Sequence, residues 1–369
     1  MKPAALILVA TLTSFTARGA SVTLSSATAT FDQGAPYDIA KTINGSASDG
    51  FGWGVYNGQF SNQTAVFSAA APASTSTGLM ITMPQWLDNV HHSNQFRVSY
   101  TTDAVPSLGG AWTQINPYSA VAMGGGLTLQ NAGSNQFQVS GASSDSTSYR
   151  LFALGSFSGI TGFRLELTPY DNPSDPYGAA LGGHANGNLV LTEFRVDALD
   201  ATTNFALYGG VTPSGGVWPG MPAVRIVDGD AATVTHPNTG SATPFSFTVD
   251  MGGSIALDQV NILNRNDCCP ERLSNFRVAV LDDSMVQTWS GDFHTDGSNS
   301  GMSGVDSITA GMGSGTFAGR YIRITNLDGA SYSPQIAEVQ AFGTFVPEPA
   351  GPLLLGIAAS ALMLHRRRR

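Results

Sequence analysis

Three sets of residues in this 369-residue chain have types and spacings suited to chemistry. The first is NRNDCCPERL, Asn264 to Leu273, where the chain's two cysteines, Cys268 and Cys269, stand side by side among Arg265, Asp267 and Arg272. Consecutive Cα atoms lie about 3.8 Å apart across a trans peptide and about 2.9 Å across a cis one, whereas disulfides span about 4.4–6.8 Å. A Cys268–Cys269 bond would therefore need a distorted or cis peptide, and it would close almost no loop. Its use would be shape, a rigid sulfur-faced knob. Two free thiols, or a metal pair, are the alternatives; zinc usually takes four ligands, and a thiol nucleophile would want a base that this loop does not supply. Each arginine offers a rigid fork of donors suited to paired oxygens. Asp267 can hold one fork in place. A surface network of ion pairs is the simpler use of the same three charges.

The second set is RIVDGDAATVTH with the distant Glu338. Ca²⁺ takes six to eight hard oxygen ligands in flexible geometry. Asp228 and Asp230 flank a glycine, Thr233 adds a hydroxyl, and nearby carbonyls such as that of Arg225 can complete a shell. The simpler reading is an Asp-Gly turn closing a hairpin. The third set is the corresponding stretch of the first half, KTINGSASDGFGWG, with Asn44 in place of Asp228, Asp49 nearby and Glu193 far along the chain. His91 and His92 are adjacent, the wrong spacing for two ligands on one helix face. No G-x-S-x-G, H-E-x-x-H or G-K-[ST] stretch occurs, so the chain is read as a non-enzyme. Asp171, Asp175 and Tyr177 are read as shaping a turn-rich loop. Of the tryptophans, Trp218 in GGVWPGMP is the one expected at a ligand face.

The elements that must position these residues are strands. Charged residues make up 12 % of the chain and 43 residues are glycine. Short alternating runs recur between Gly/Asn/Asp/Pro clusters: FRVSYTTD, GFRLELTP, FSFTVDMG, NFRVAVLDD and RYIRITN. They predict half-buried strands and an all-β fold of sandwiches. The chain divides near Ala198–Thr203, and the halves share an outline. Each is read as a strand, an Asn/Asp-Gly turn, and a final strand carrying a glutamate, Glu193 or Glu338. The resulting domains are 1–19, 20–200, 201–345 and 346–369.

The two ends lie apart from this pattern. Residues 1–19 carry Lys2, an apolar run and small residues near Ala17 and Gly19, the order of a secretory signal peptide. At the other end, the apolar run Ala350–Leu364 is shorter than the roughly 20 residues of a spanning helix. Four arginines follow, which would stay cytoplasmic. Pro347-Glu348-Pro349, the apolar segment and the arginine cluster together resemble the PEP-CTERM sorting signal of Gram-negative bacteria. That resemblance implies export, recognition by a membrane protease and removal of the tail; a plain anchor would give the same topology. The chain would then meet the membrane only through this tail before processing. Without both ends the net charge is about −14, against −9 for the whole chain, and no basic stripe remains for nucleic acid.

Residues 203–343 resemble the discoidin or coagulation-factor type C family, and within it the fucolectin branch. The likeness is carried by NFALYGGVTPSGGVWPGMPAVRIVDGDAATVTHP, FSFTVDMGGSIALDQVNILNR and above all NRNDCCPERL. The first half resembles a related module of secreted bacterial proteins, through HHSNQFRVSYTTD and ITGFRLEL with HANGNLVLTEFRV. The family fold is a jelly-roll β-sandwich, so two tandem jelly rolls are expected. The resemblance implies a structural Ca²⁺ held by the Arg225 carbonyl, Asp228, Asp230, Thr233 and Glu338. It also implies a Cys268–Cys269 disulfide packed against a sugar that His236, Arg265 and Arg272 hydrogen-bond, with Asp267 supporting. The aromatic pair usual in the family is replaced by Phe245-Ser246-Phe247, and His236 stands a few residues off its usual distance from Arg265. The expectation is an exported, non-catalytic, lectin-like protein of the cell surface or extracellular matrix. The alternatives are a matrix protein without a working sugar site, or the targeting module of a polysaccharide-active enzyme.

Overall fold

The five alternating runs all form strands. FRVSYTTD supplies Gln95–Thr101, GFRLELTP lies in Phe157–Leu167, FSFTVDMG opens Ser246–Asn264, NFRVAVLDD supplies Phe276–Leu281, and RYIRITN lies in Ala318–Asn326. The structure, a computed structural model, describes residues 21–143, 146–238, 244–329 and 333–347. The expected signal peptide, and the sorting tail beyond Pro347, lie outside the described residues. Among the described residues the only helices are three short 3-10 turns, and no helix is long and apolar enough to cross a membrane.

The expectation of tandem jelly rolls is met. Two main sheets come from the first half, beside a two-stranded pairing of Val190–Leu191 with Trp53–Gly54. One runs Leu24–Ala29, Gln63–Thr75, Phe157–Leu167, Gln95–Thr101, Phe137–Ser140, Thr128–Asn131; the other runs Arg195–Ala198, Gly78–Gln85, Thr147–Leu154, Ser119–Met123. The second half hangs on one long strand, Ser246–Asn264. Its first part pairs with Gly210–Pro213 and Ala318–Asn326, and its last part with Val305–Thr309 and Ile336–Phe345. The pairing breaks between Asp250 and Ile255, where Gly252 takes φ 79°. A side chain is disfavoured there, and the break lets one strand serve both faces of the sandwich.

One expectation about the repeat fails. The segments before the two Asn/Asp-Gly turns are not strands but 3-10 turns, Ile39–Ile43 and Ala223–Val227. Each closes an i+3 hydrogen bond at its start, Lys41 N–H to Asp38 O and Arg225 N–H to Pro222 O. With no strand alongside to satisfy their backbone, these apolar segments satisfy it locally. Glu338 does lie within the final strand, Ile336–Phe345. Glu193 sits in the gap between Val190–Leu191 and Arg195–Ala198.

The joint between the halves is packed. The second half's core takes in Met80, Trp86, Phe152 and Leu199 from the first. Phe152 stacks on Phe345 at 4.2 Å, and Trp86 meets Tyr208 edge-on at 5.6 Å. Arg150, fully buried, reaches across. Its Nη1 donates to the carbonyls of Phe205 (2.6 Å) and Met251 (2.8 Å), its Nη2 to that of Leu207 (2.5 Å), and its Nε to Thr82 Oγ1 (3.2 Å). Burial pulls this guanidinium down to about 10, against the opposing fields of Asp250 and Asp197. It stays charged at neutral pH.

Candidate ligand and cation site

The cysteine loop is folded by its own polar groups. Asn264 spans it, donating from Nδ2 to Pro270 O (2.9 Å) and accepting from Arg265 N–H (2.8 Å). Cys269 takes the left-handed conformation, φ 55° and ψ 48°, which starts the 3-10 turn Pro270–Arg272. Such a φ is uncommon outside glycine and asparagine, so the turn holds this cysteine at a local cost. The sulfurs of Cys268 and Cys269 lie 2.7 Å apart, and the peptide between the two residues is not among the cis bonds. The left-handed residue, rather than a cis peptide, brings the two sulfurs together. The neighbouring Cys269 thiol pushes the Cys268 thiol up, the wrong direction for a nucleophile.

Arg265 is a scaffold residue. It is only 4 % exposed. Nε and Nη2 bind both oxygens of Asp267 at 2.6 Å, and Nη1 donates to Gln335 Oε1. The Arg265 guanidinium holds the Asp267 carboxyl at about 2. Arg272 points elsewhere, its Nη1 lying 3.4 Å from His236 Nε2. His236 Nδ1 lies 2.7 Å from Pro237 O, so Nδ1 carries the hydrogen and Nε2 presents a lone pair. Burial lowers the His236 pKa, the Pro237 contact opposes it, and Arg272 and Arg265 add to the lowering. The imidazole is therefore neutral at pH 7. Trp218, 45 % exposed, meets the His236 ring edge-on at 5.9 Å, and its backbone N–H donates to His236 O.

The structure thus brings His236 to Arg272 and Arg265 to Asp267, beside the paired thiols. Gln335 was not anticipated. In PQIAEV it reads as a residue leading into a strand, and no sequence signal marks it. It is fully buried, and its Nε2 has no partner among the described groups. Phe245 and Phe247, which stand where the family usually has its aromatic pair, are both buried and pack on one another at 5.1 Å. They belong to the core.

The Asp-Gly loop gathers more oxygens than hydrogens. The Thr233 hydroxyl lies within reach of four acceptors: Asp228 Oδ2 (3.0 Å) and Oδ1 (3.2 Å), Asp230 O (3.0 Å) and Arg225 O (3.5 Å). It has one hydrogen to give. Glu338, 2 % exposed, accepts from Gly229 N–H at Oε2 (3.2 Å), and its Oε1 has no partner among the described groups. Burial and the nearby Asp228 push Glu338 well above the usual carboxylate range, and burial pushes Asp228 up to about 6. A surplus of hard oxygens around buried carboxylates fits Ca²⁺. The Asp230 carboxylate accepts from Ala232 N–H (2.9 Å), and its carbonyl faces the Thr233 hydroxyl (3.0 Å). Among the described residues no three His, Cys, Asp or Glu side chains converge as a metal cage. An ion here would rest on Asp228 and Glu338 plus backbone and hydroxyl oxygens.

The first half repeats this loop in outline. Gly45 N–H donates to Glu193 Oε2 at 3.1 Å, and burial pushes Glu193 up to about 8. Asn44 Nδ2 donates to Asp49 Oδ2 (3.3 Å). The two loops touch: the Tyr208 hydroxyl donates to Gly45 O (3.0 Å), Ala47 lies in the second half's core, and the Ser48 side chain hydrogen-bonds Asp228.

Residues 225–324 match the F5/F8 type C family described as "NedA-like, galactose-binding domain". The match takes in the Asp228 loop and the cysteine loop and ends before Gln335 and Glu338. No curated protein matches the chain. Solved structures similar to it include a Streptococcus pneumoniae fucose binding module, 25 % identical over 38 % of this chain and 94 % of that one, TM-score 0.33. Another is the lectin domain of lectinolysin complexed with Lewis B antigen, 24 % identical over 39 % and 99 %, TM-score 0.33. A third is a fucolectin from striped bass (Morone saxatilis) serum, 16 % identical over 89 % and 97 %, TM-score 0.33.

Proposed function

We propose that the chain is an exported, non-catalytic glycan-binding protein whose second jelly roll holds a saccharide against His236, Arg272 and the vicinal cysteines. The observation that carries this reading is the meeting of His236 and Arg272 at 3.4 Å from positions 36 residues apart. A neutral imidazole nitrogen accepts, a guanidinium donates, and sugar hydroxyls do both. The sulfurs and the Trp218 edge give an apolar surface for ring C–H groups, the usual make-up of a small-ligand site. Arg265 acts from behind: bound to Asp267 and Gln335, it fixes the loop from which Arg272 projects. The family match over residues 225–324 supports the same reading. Calcium, when bound, supplies the positive charge that the Arg225, Asp228, Thr233 and Glu338 oxygens lack. Export by the N-terminal segment, sorting by the tail and oxidation of the thiols to a vicinal disulfide complete the proposal.

A glycan array probed with the mature protein tests it. Binding is expected with calcium, weakened by EDTA, and lost in Arg272→Ala. No binding to any fucosyl, galactosyl or related glycan, or binding indifferent to Arg272→Ala, removes the reading. Intact mass of the exported protein checks the rest: loss of residues 1–19 and of the tail, and two hydrogens fewer than the dithiol.

A further inference from the structure

We propose a second ligand site, in the cleft between the two modules, that takes a short oligosaccharide bearing a uronic-acid carboxylate. The cleft has a volume of about 850 Å³, within the roughly 300–1,000 Å³ of small-molecule sites. Neither His236 nor Arg272 lines it. Its floor is the outer face of the second module's sheet, and one wall is the turn Gly124–Gly126 of the first.

Strand alternation builds the floor. Phe247, Val249, Ile322 and Ile324 turn into the core, while Ser246, Thr248, Asp250, Tyr321 and Arg323 are only half-buried. Register sets them in rows: Thr212 opposite Thr248 and Thr248 opposite Arg323, with Asp250 opposite Tyr321 in the next row. Charge is distributed unevenly along this face. Arg320 is engaged, binding both oxygens of Asp250 at 2.8 Å and Asp283 at 3.4 Å. Arg323 is anchored at Nε alone, on Thr248 Oγ1 (3.1 Å). Among the described residues its two terminal nitrogens have no hydrogen-bonding or carboxylate partner. An arginine fixed at Nε with its outer nitrogens open is a preset fork for a carboxylate.

The remaining lining suits sugar. The hydroxyls of Thr212, Ser246 and Thr248 can donate and accept in turn. Tyr321 and the exposed Met285 give apolar surface. Gly124, Gly125 and Gly126 all take positive φ, 77°, 69° and 75°, conformations that glycine alone adopts freely. That wall is bare backbone. The chain is acidic overall, with a net charge of −9, so diffuse attraction does not recruit an anion. The group of Arg320 with two carboxylates carries one net negative charge. It directs a ligand's carboxylate to the Arg323 end and its neutral hydroxyls to the other.

Calorimetric titration of the full chain with trigalacturonate tests this, at 0.15 M salt, where exposed charges are screened beyond about 8 Å. Binding is expected, at least tenfold weaker for the fully methyl-esterified trisaccharide. Arg323→Gln, an exposed-side substitution that should leave melting unchanged, is expected to weaken binding at least tenfold. Thr212→Trp, which fills the cleft, is expected to abolish it, while Arg272→Ala stays within twofold of wild type. The proposal is overturned by no binding, by equal binding of the ester, or by loss in Arg272→Ala with retention in Arg323→Gln. Because Arg272→Ala reports only on the first site, the two sites fail separately.

Discussion

The two Gly-centred loops are the same backbone carrying different charge. Asn44 and Asp228 cap their 3-10 turns at identical angles, φ −86° and ψ −7°. Gly45 and Gly229 follow at φ 78° and 82°. Each donates its N–H to a buried glutamate, Glu193 or Glu338, at 3.1 and 3.2 Å. In the first loop the side chain at the cap is an amide, whose Nδ2 donates to Asp49. In the second it is a carboxylate facing a threonine hydroxyl already crowded with oxygens. One substitution of O⁻ for NH₂ turns a self-satisfied loop into one with acceptors to spare. The backbone sets where a cation would sit, and the side chains decide whether one is wanted.

The comparison can be broken most forcefully at Arg150. Arg150→Ala leaves the carbonyls of Phe205, Leu207 and Met251 buried without their donor, and should cost about 3–5 kcal/mol. Calorimetry should then show two transitions where wild type shows one, because the halves lose the buried hydrogen bonds that couple them. The next effect is on pH. Asp228, Glu193 and Glu338 all have raised pKa values, so their stabilisation is full below the unfolded values and is lost as pH rises through the folded ones. Without calcium, the melting temperature should fall from pH 5 to pH 8, Asp228 contributing at most about 3 kcal/mol. With calcium in excess, the fall through about pH 6 should vanish, and the fall toward pH 8 from Glu193 should remain. A melting curve with calcium as flat at pH 8 as at pH 5 would equate the loops.

Calcium at 100 times its dissociation constant should stabilise wild type by about 2.7 kcal/mol. Asp228→Asn, which rewrites the second loop as the first, should erase that gain while raising metal-free stability at pH 8. Asn44→Asp should add calcium-dependent stability at the first loop; no added response would mean that Thr233 matters more than the cap. The smallest effect is expected from Ser48→Ala. Losing its hydrogen bond to Asp228 should cost about 0.5–1.5 kcal/mol, chiefly without calcium, as measured by urea denaturation.

The strands were legible because their alternation is local: Ile322 and Ile324 inward, Tyr321 and Arg323 outward, can be read straight from RYIRITN. The turns before Asn44 and Asp228 were not, because five residues of mainly apolar character, IAKTI and AVRIV, fit a buried strand or a helical turn equally well. Arg265 with Asp267 was readable at two residues' distance, and His236 with Arg272 only through family likeness. Gln335 and Arg150 were beyond reach. Their roles lie in backbone and amide groups supplied by distant segments, and a lone glutamine or arginine in a strand carries no pattern of its own. From sequence Asp175 reads as a loop-shaping residue. Its side chain is buried, 3.7 Å from His92.

Gln335 and Glu338 stand three residues apart at the head of one strand, the first holding Arg265 behind the cysteine loop and the second closing the Asp228 loop. Two ligands that grip so short a span share its ordering free energy. By reciprocity, whatever factor calcium adds to saccharide affinity, the saccharide must return to calcium. Near the calcium concentration that half-fills the loop, a glycan would therefore recruit the ion that secures it. Adhesion would then answer to both signals together, and two weak bindings would behave as one conditional grip.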